Sequence, residues 1–528
     1  MTGRILVRAL LLIATAATTA IAVPLAAQQA PDRGAFIMRV GGDTIVLERF
    51  AWSADTLQGQ IGVKGQPRTD YVAVTGPASS VRSMSISVFR EAGTDIAPMR
   101  RVGIALRGDS IFVDVQGAIQ AFHAVAGAVP LLNNSFAMAE IFTRKARAAG
   151  GPLDVPAFAL SGGATIPVKL TLIGADSMTL SVAGSEERLR VDREGRILGG
   201  TIPSQHLEII RVDPAAAASI RLGRTDYSAS AGAPYTATEV TLTGPGGITL
   251  GGTLTIPIGA RRRVPAVVTI TGSGQQDRDE YIPVAGGYRP FRQVADTLGR
   301  RGIAVLRLDD RTVGLSGGAL GTTADYADDI RAAVAYLRTR SDIDGDRLAL
   351  VGHSEGGVIA PMVAATDHRL KGIVLLAGTA EKGSDVIHYQ QRNAIEGDPS
   401  IPASARDSLI RAAAVAVDSI ARTSRWLQFF LDYDPLIAAR RVTVPVLILQ
   451  GETDHQVTPD QARELAAAIR SNGNGDVTVH LFPGLDHLFV PDPSGQPAGY
   501  VNLRSGRVDP GVLGALADWL SVKLHAAN

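Results

Sequence analysis

The chain has 528 residues, 45% of them hydrophobic and 20% charged, with a formal net charge of +1 and no cysteine. So even a balance gives no electrostatic footprint for nucleic acid or an acidic membrane surface. Disulfides, thiolate metal sites and cysteine nucleophiles are excluded, and the length allows two or three domains.

The chain opens with the short basic stretch MTGRILVR, followed by the apolar run ALLLIATAATTAIAV and then PLAAQQA. That order predicts a secretory leader over residues 1–27, cleaved after Ala27, with Ala22 as the alternative. No later run reaches the ~18 apolar residues that span a bilayer. The expectation is an exported protein, periplasmic or extracellular, without a stable membrane anchor.

Residues 31–213 read as a β-rich N-terminal domain whose role the sequence leaves open. DTIVLERFAW, RSMSISVFR, DSIFVDVQG, VKLTLIG, SMTLSVAG and LEIIRVD are short, partly alternating and separated by Gly, Asp and Pro turns. Consecutive strands predict an antiparallel sheet or open barrel. Residues 118–151 break the pattern and predict one or two helices capping that sheet. Residues 214–234, rich in Ala, Ser, Gly and Pro, read as a linker.

From residue 235 the texture changes. TEVTLTGPGGITLGGTLTIP predicts a hairpin, and VPAVVTIT, GIAVLRLD, RLALVG, GIVLLAG, VPVLILQ and VTVHLF follow at intervals. Continuous apolar runs mark strands buried on both faces. Helical segments separate most of them, so a doubly wound, mainly parallel α/β sheet is expected over 235–528. The long interval 379–441, with ASARDSLIRAAAVAVDSIA and WLQFFLDYDPL, predicts a helical cap over the crevice at the strands' C-terminal edge.

Two stretches match G-x-S-x-G: GLSGG at 314–318 and GHSEGG at 352–357. With 57 glycines in the chain, the flanks must decide between them. Ser354 follows the buried run RLALVG directly and a helix can start at once, the strand-turn-helix setting of an exposed nucleophile. Ser316 follows polar DDRTV and is expected in a surface loop. His487, in FPGLDHLF after the last strand, is the expected base. His480 lies inside that strand and is expected to be packed. His353 adjoins the serine and is expected to point elsewhere. Asp454, in QGETDHQV after a buried strand, is the expected acid, with Asp486 as its rival. The order Ser, Asp, His fits this kind of sheet. An oxyanion needs two N–H donors; Glu355 N–H and Ser273 N–H, in TITGSGQQDRD, are the candidates. Trp426 and Phe430 are expected in the cap core or against substrate. DRDE at 277–280 reads as a solvated or salt-bridged loop, or a seat for a cation or an amine. SDIDGDR departs from a calcium loop and reads as a turn. No HExxH, P-loop or dinucleotide fingerprint is present, so no metal or organic cofactor is expected.

GHSEGG, GETD and GLDH make residues 235–528 resemble the α/β-hydrolase superfamily, in its dienelactone hydrolase-like and prolyl-oligopeptidase-like (S9-type) branch. TGSGQQDRDE and LRLDDRTVGLSGG resemble the loops after the third and fourth strands of exported esterases in that group. The resemblance implies a serine esterase acting on small-molecule esters through Ser354, Asp454 and His487. A peptidase or amidase using the same residues, or a catalytically silent binding protein, are the alternatives. Two departures stand out. Dienelactone hydrolases use a cysteine, absent here, and the N-terminal region lacks the repeats of a peptidase propeller.

Overall fold

A computed structural model describes residues 32–526 apart from 41, 90–96, 116, 161–164, 183–184, 223–224, 283–284, 286, 399–400, 423 and 504–505. The expected leader lies outside the described residues. Two sheets organise the rest. The first has fifteen strands. From the edge strand Ala118–His123 it runs inward by antiparallel neighbours to Asp32–Val40. That strand pairs with the last, Leu207–Val212, and the order then steps back to Leu153–Ala159 and Val129–Leu131. Helix Phe136–Ala149 packs on strands of both arms, so the sheet curls round it. Ser135 caps the helix by accepting from Met138 N–H, and Gly150 closes it at φ +72°.

The expected helix over 118–151 is thus confined to its second half. AIQAFH forms a mostly exposed edge strand paired with Ser110–Val115. Its Ala-rich composition suggests helix, but it buries no stripe at helical spacing, and Gly127, at φ +81°, interrupts the run that follows.

The second sheet has eight strands, labelled here in chain order: β1 Tyr235–Thr243, β2 Thr249–Pro257, β3 Val264–Ile270, β4 Ala304–Leu308, β5 Ile343–His353, β6 Gly372–Leu376, β7 Val446–Gly451 and β8 Val477–Phe482. Their spatial order is β1-β2-β4-β3-β5-β6-β7-β8. The first two form the expected hairpin, and all from β3 onward run parallel. Strands β3 to β7 are almost wholly buried, as their continuous apolar runs require. Helices Pro290–Gly299 and Pro510–Lys523 build a core on one face. Thr323–Thr339, Gly356–Ala364 and Pro459–Arg470 build the core on the other. Between β6 and β7 stand helices Gly383–Gly397, Ala403–Ala421 and Arg425–Asp432, joined by a small apolar cluster of their own.

The stretch read as a linker is anchored at both ends. Helix Pro214–Ser219 sets Ala217 against Ala35, Ile37 and Leu47 of the first sheet. Further on, the Tyr227 hydroxyl donates to Asp277 in the loop after β3 at 2.9 Å. From the first sheet, Gln66 Nε2 reaches the Gln275 carbonyl of the same loop at 3.2 Å.

Candidate active site

Strand β5 ends at His353 and the next helix begins at Gly356. Only Ser354 and Glu355 remain to make the turn, and Ser354 is driven to φ +53°. A side chain there is strained, and such strain gathers at functional positions. Glycines permit the tight turn: a Cβ at Gly352 would sit 2.1 Å from the Gly356 carbonyl oxygen, and one at Gly356 would sit 2.2 Å from that of Ile270. From Leu348 to Pro361, Ser354 is the one residue that is not buried.

GLSGG has a different job. Ser316 is 1% exposed, so the expected surface loop is corrected to a buried one. Its hydroxyl donates to the Asp309 carbonyl at 2.7 Å and accepts from Gly251 N–H at 2.9 Å. The polar run before it, which suggested a surface, instead serves a buried ion pair. Arg278 grips Asp309 with two side-chain hydrogen bonds of 2.9 and 2.6 Å. The whole DRDE run is buried, which corrects the solvated reading and keeps the salt-bridged one. Arg307 and Arg289 pair with Asp279. Removing one partner of such a pair strands a buried charge. Arg278→Met is expected to cost about 3–5 kcal/mol of stability, seen in a denaturant titration; an unchanged midpoint would show that the pair carries no load.

His487 stands in the loop after β8 and Asp454 in the turn after β7. His487 Nδ1 lies 2.8 Å from Asp454 Oδ2. Asp454 Oδ1 accepts from Gln456 N–H at 2.7 Å and Val457 N–H at 2.9 Å, and Gln450 Nε2 donates to Oδ2 at 2.8 Å. Burial alone would raise this carboxyl. The charge of His487 and these bonds outweigh it and hold the group below the ordinary carboxylate value. Asp486, the rival, spends its carboxylate on its own turn, accepting from Leu488 N–H and Val490 N–H. Burial pushes it up to about 6. His480 is exposed on β8, not packed; on this last strand of the sheet the period-2 alternation turns it outward. His455 meets Tyr389 of the cap at 3.2 Å.

The loop after β3 comes close to the serine: a Cβ at Gly272 would lie 3.3 Å from Ser354 Cβ. Ser273, next in chain, is exposed. Glu355 is buried, and its carboxylate accepts from Thr323 Oγ1 at 2.6 Å and Trp426 Nε1 at 3.0 Å. Burial raises its pKa, with the bonds from Thr323, Trp426 and Ser273 pulling down. Trp426 stacks on Phe430, ring centroids 5.5 Å apart. The cap thus reaches the nucleophile turn through Trp426, on which Phe430 stacks. Gln450, which orients Asp454, was missed. A polar residue inside the buried run VLILQG was the available signal.

This strand order, with a serine on a strained strand-helix turn at the same edge of the sheet as the loops of β7 and β8, is that of the α/β-hydrolase fold. Residues 285–494, which include Ser354, Asp454 and His487, match the family described as serine aminopeptidase S33. Esterase EstD of Thermotoga maritima is 28% identical over 278 residues, covering 51% of this chain. The match spans 65% of that esterase's own length. Among solved structures, a Pyrococcus furiosus esterase is 14% identical, covering 57% of this chain and 97% of that one, with a TM-score of 0.40. Est1E from Butyrivibrio proteoclasticus is 18% identical, covering 54% and 99%, with a TM-score of 0.35.

Proposed function

We propose that the protein is a serine hydrolase of small carboxylic esters. The observation that carries this is the buried Asp454–His487 hydrogen bond on the loops above Ser354, itself the only unburied residue of its turn. Asp454 fixes the proton on Nδ1 of His487 and leaves Nε2 as the base. Nε2 takes the proton of Ser354 as its oxygen attacks the ester carbonyl. The N–H groups of Glu355 and Ser273 receive the oxyanion. The alcohol leaves with the proton from His487, and water, activated by the same ring, frees the acid from Ser354. The relation to an esterase supports the substrate class.

The test is hydrolysis of p-nitrophenyl esters from acetate to laurate. Peptide or amide cleavage by the same residues is the second reading, favoured by the description of the matched family. Aminoacyl p-nitroanilides assayed alongside separate the two. Turnover of neither class would sink both.

Trp426 and Phe430 are assigned to the acyl side of the cleft. Trp426→Ala removes a stacked ring worth about 1 kcal/mol or more. KM for the best long-chain ester is expected to rise roughly 5–10-fold with acetate nearly unchanged. An equal change for every chain length would place the ring outside the acyl path.

A further inference from the structure

The reaction as drawn leaves a second buried hydrogen-bonded chain behind Ser354 unused. Glu280 closes the DRDE run in a left-handed conformation, φ +56°. Its Oε1 accepts from Gly272 N–H at 3.1 Å and lies 2.7 Å from His353 Nδ1. The other ring nitrogen, His353 Nε2, lies 3.1 Å from the backbone carbonyl oxygen of His487. Three loops therefore meet on two side chains: the Gly272–Ser273 loop, the nucleophile turn and the histidine loop. Gly272 marks how tightly they meet, since a Cβ there would come within 2.9 Å of Glu280 Oε1.

The chemistry of the contacts sets the state of the ring. Both nitrogens of His353 face acceptors, a carboxylate oxygen and a peptide oxygen. Beside a Glu280 carboxylate, a neutral imidazole, with its single N–H, would leave one nitrogen lone pair pointing at an oxygen lone pair. Only the imidazolium donates to both.

We propose that Glu280 and His353 are positioning residues, with His353 an imidazolium that donates to Glu280 and to the His487 carbonyl and so sets the spacing of oxyanion loop, nucleophile and base. The effect on turnover rests on the serine-hydrolase reading; the charge state does not. Burial by itself would discharge the ring, but the charge of Glu280 and the two hydrogen bonds outweigh it and raise the pKa above its ordinary value. The charged and titratable groups around it are Glu280 on one side and His487 and Asp454 on the other. Tyr288, behind Glu280, donates its hydroxyl to the Leu488 carbonyl of the histidine loop. Because the pKa is raised, the linkage is fully present below the ordinary histidine value and is lost as pH rises through the folded one.

The experiment is a carbon-13 titration of histidine-labelled full chain, paired with ester kinetics on the same samples. The His353 line, identified by its loss in His353→Gln, is expected to hold the imidazolium position through neutral pH. Glu280→Gln should bring its midpoint down by about one pH unit or more. Both variants should lower kcat on p-nitrophenyl butyrate about 10–100-fold with KM changed less than about twofold. Glu280→Asp should recover part of the loss. A His353 line at the neutral position in the parent at pH 7 overturns the proposal, as do variants with parental kcat. If His353→Gln does not fold, Glu280→Gln identifies the line as the one that shifts. A parent protein without esterase activity overturns the ester-hydrolase reading alone, and the titration still decides the pair.

Discussion

Ser354→Ala is expected to fold like the parent and to lose about 10⁴–10⁶ of its kcat on esters. The two halves of that expectation have separate grounds. The hydroxyl at 354 is the one polar group that the turn presents outward, between buried His353 and buried Glu355. Serine and alanine carry the same strain at φ +53°, so the backbone gains nothing by the exchange. Ser316→Ala is the natural control. It removes a hydroxyl bonded to both the Asp309 carbonyl and Gly251 N–H, so about 1–3 kcal/mol of stability should go while turnover stays. Turnover and thermal midpoint measured on both variants check this. The reverse pattern would move the chemistry to GLSGG.

Asp454→Asn should leave the loop in place and lower kcat by about 10⁴. Oδ1 accepts two backbone N–H groups, so the amide oxygen of asparagine belongs there and its NH2 takes the place of Oδ2. That NH2 would then face His487 Nδ1 and the NH2 of Gln450. Gln450 cannot readily flip to suit it, because its Nε2 also donates to the Val457 carbonyl at 3.0 Å. His487 must turn its Nδ1 lone pair to the asparagine, which puts the proton on Nε2 and removes the base. Single-turnover kinetics with p-nitrophenyl acetate would measure the loss. A fall under about tenfold would show that Asp454 does not set the tautomer. The parent pair also tolerates acid. A carboxyl held below its ordinary value contributes stability above that value and loses it only as pH falls through the lower, folded one.

The middle of the second sheet was readable because strands β3 to β7 are buried on both faces and therefore write unbroken apolar runs. The same logic put Ser354 and Asp454 shortly after such runs, and His487 in the loop after the last strand. What escaped was polar and buried. DRDE looks like surface because four charged residues in a row usually are; here Arg278, Arg307 and Arg289 neutralise Asp309 and Asp279 inside the fold. Ser316 was misjudged for the same reason, since the turn that holds it wraps Asp309. AIQAFH was misread because an edge strand pairs along one side only and needs no alternation of burial. Glu280 acts on His353 across a long sequence separation, which no local pattern encodes; Gln450 acts on Asp454 only four residues on, and its sign was a polar side chain inside a buried run.

The loop after β3 is also gripped from outside its own sheet, by Tyr227 of the connecting segment and Gln66 of the curled sheet. The Arg278 guanidinium lies 4.3 Å from the Tyr227 ring. The half of the chain built on the second sheet is therefore not portable. Excised at residue 235, it would keep the serine, histidine and aspartate, but the segment bearing Ser273 would lose two of its moorings, and a buried arginine would meet water where it now meets an aromatic face. Recombining residues 235–528 with a foreign amino-terminal region would alter the proposed reaction centre itself as well as what is tethered to it.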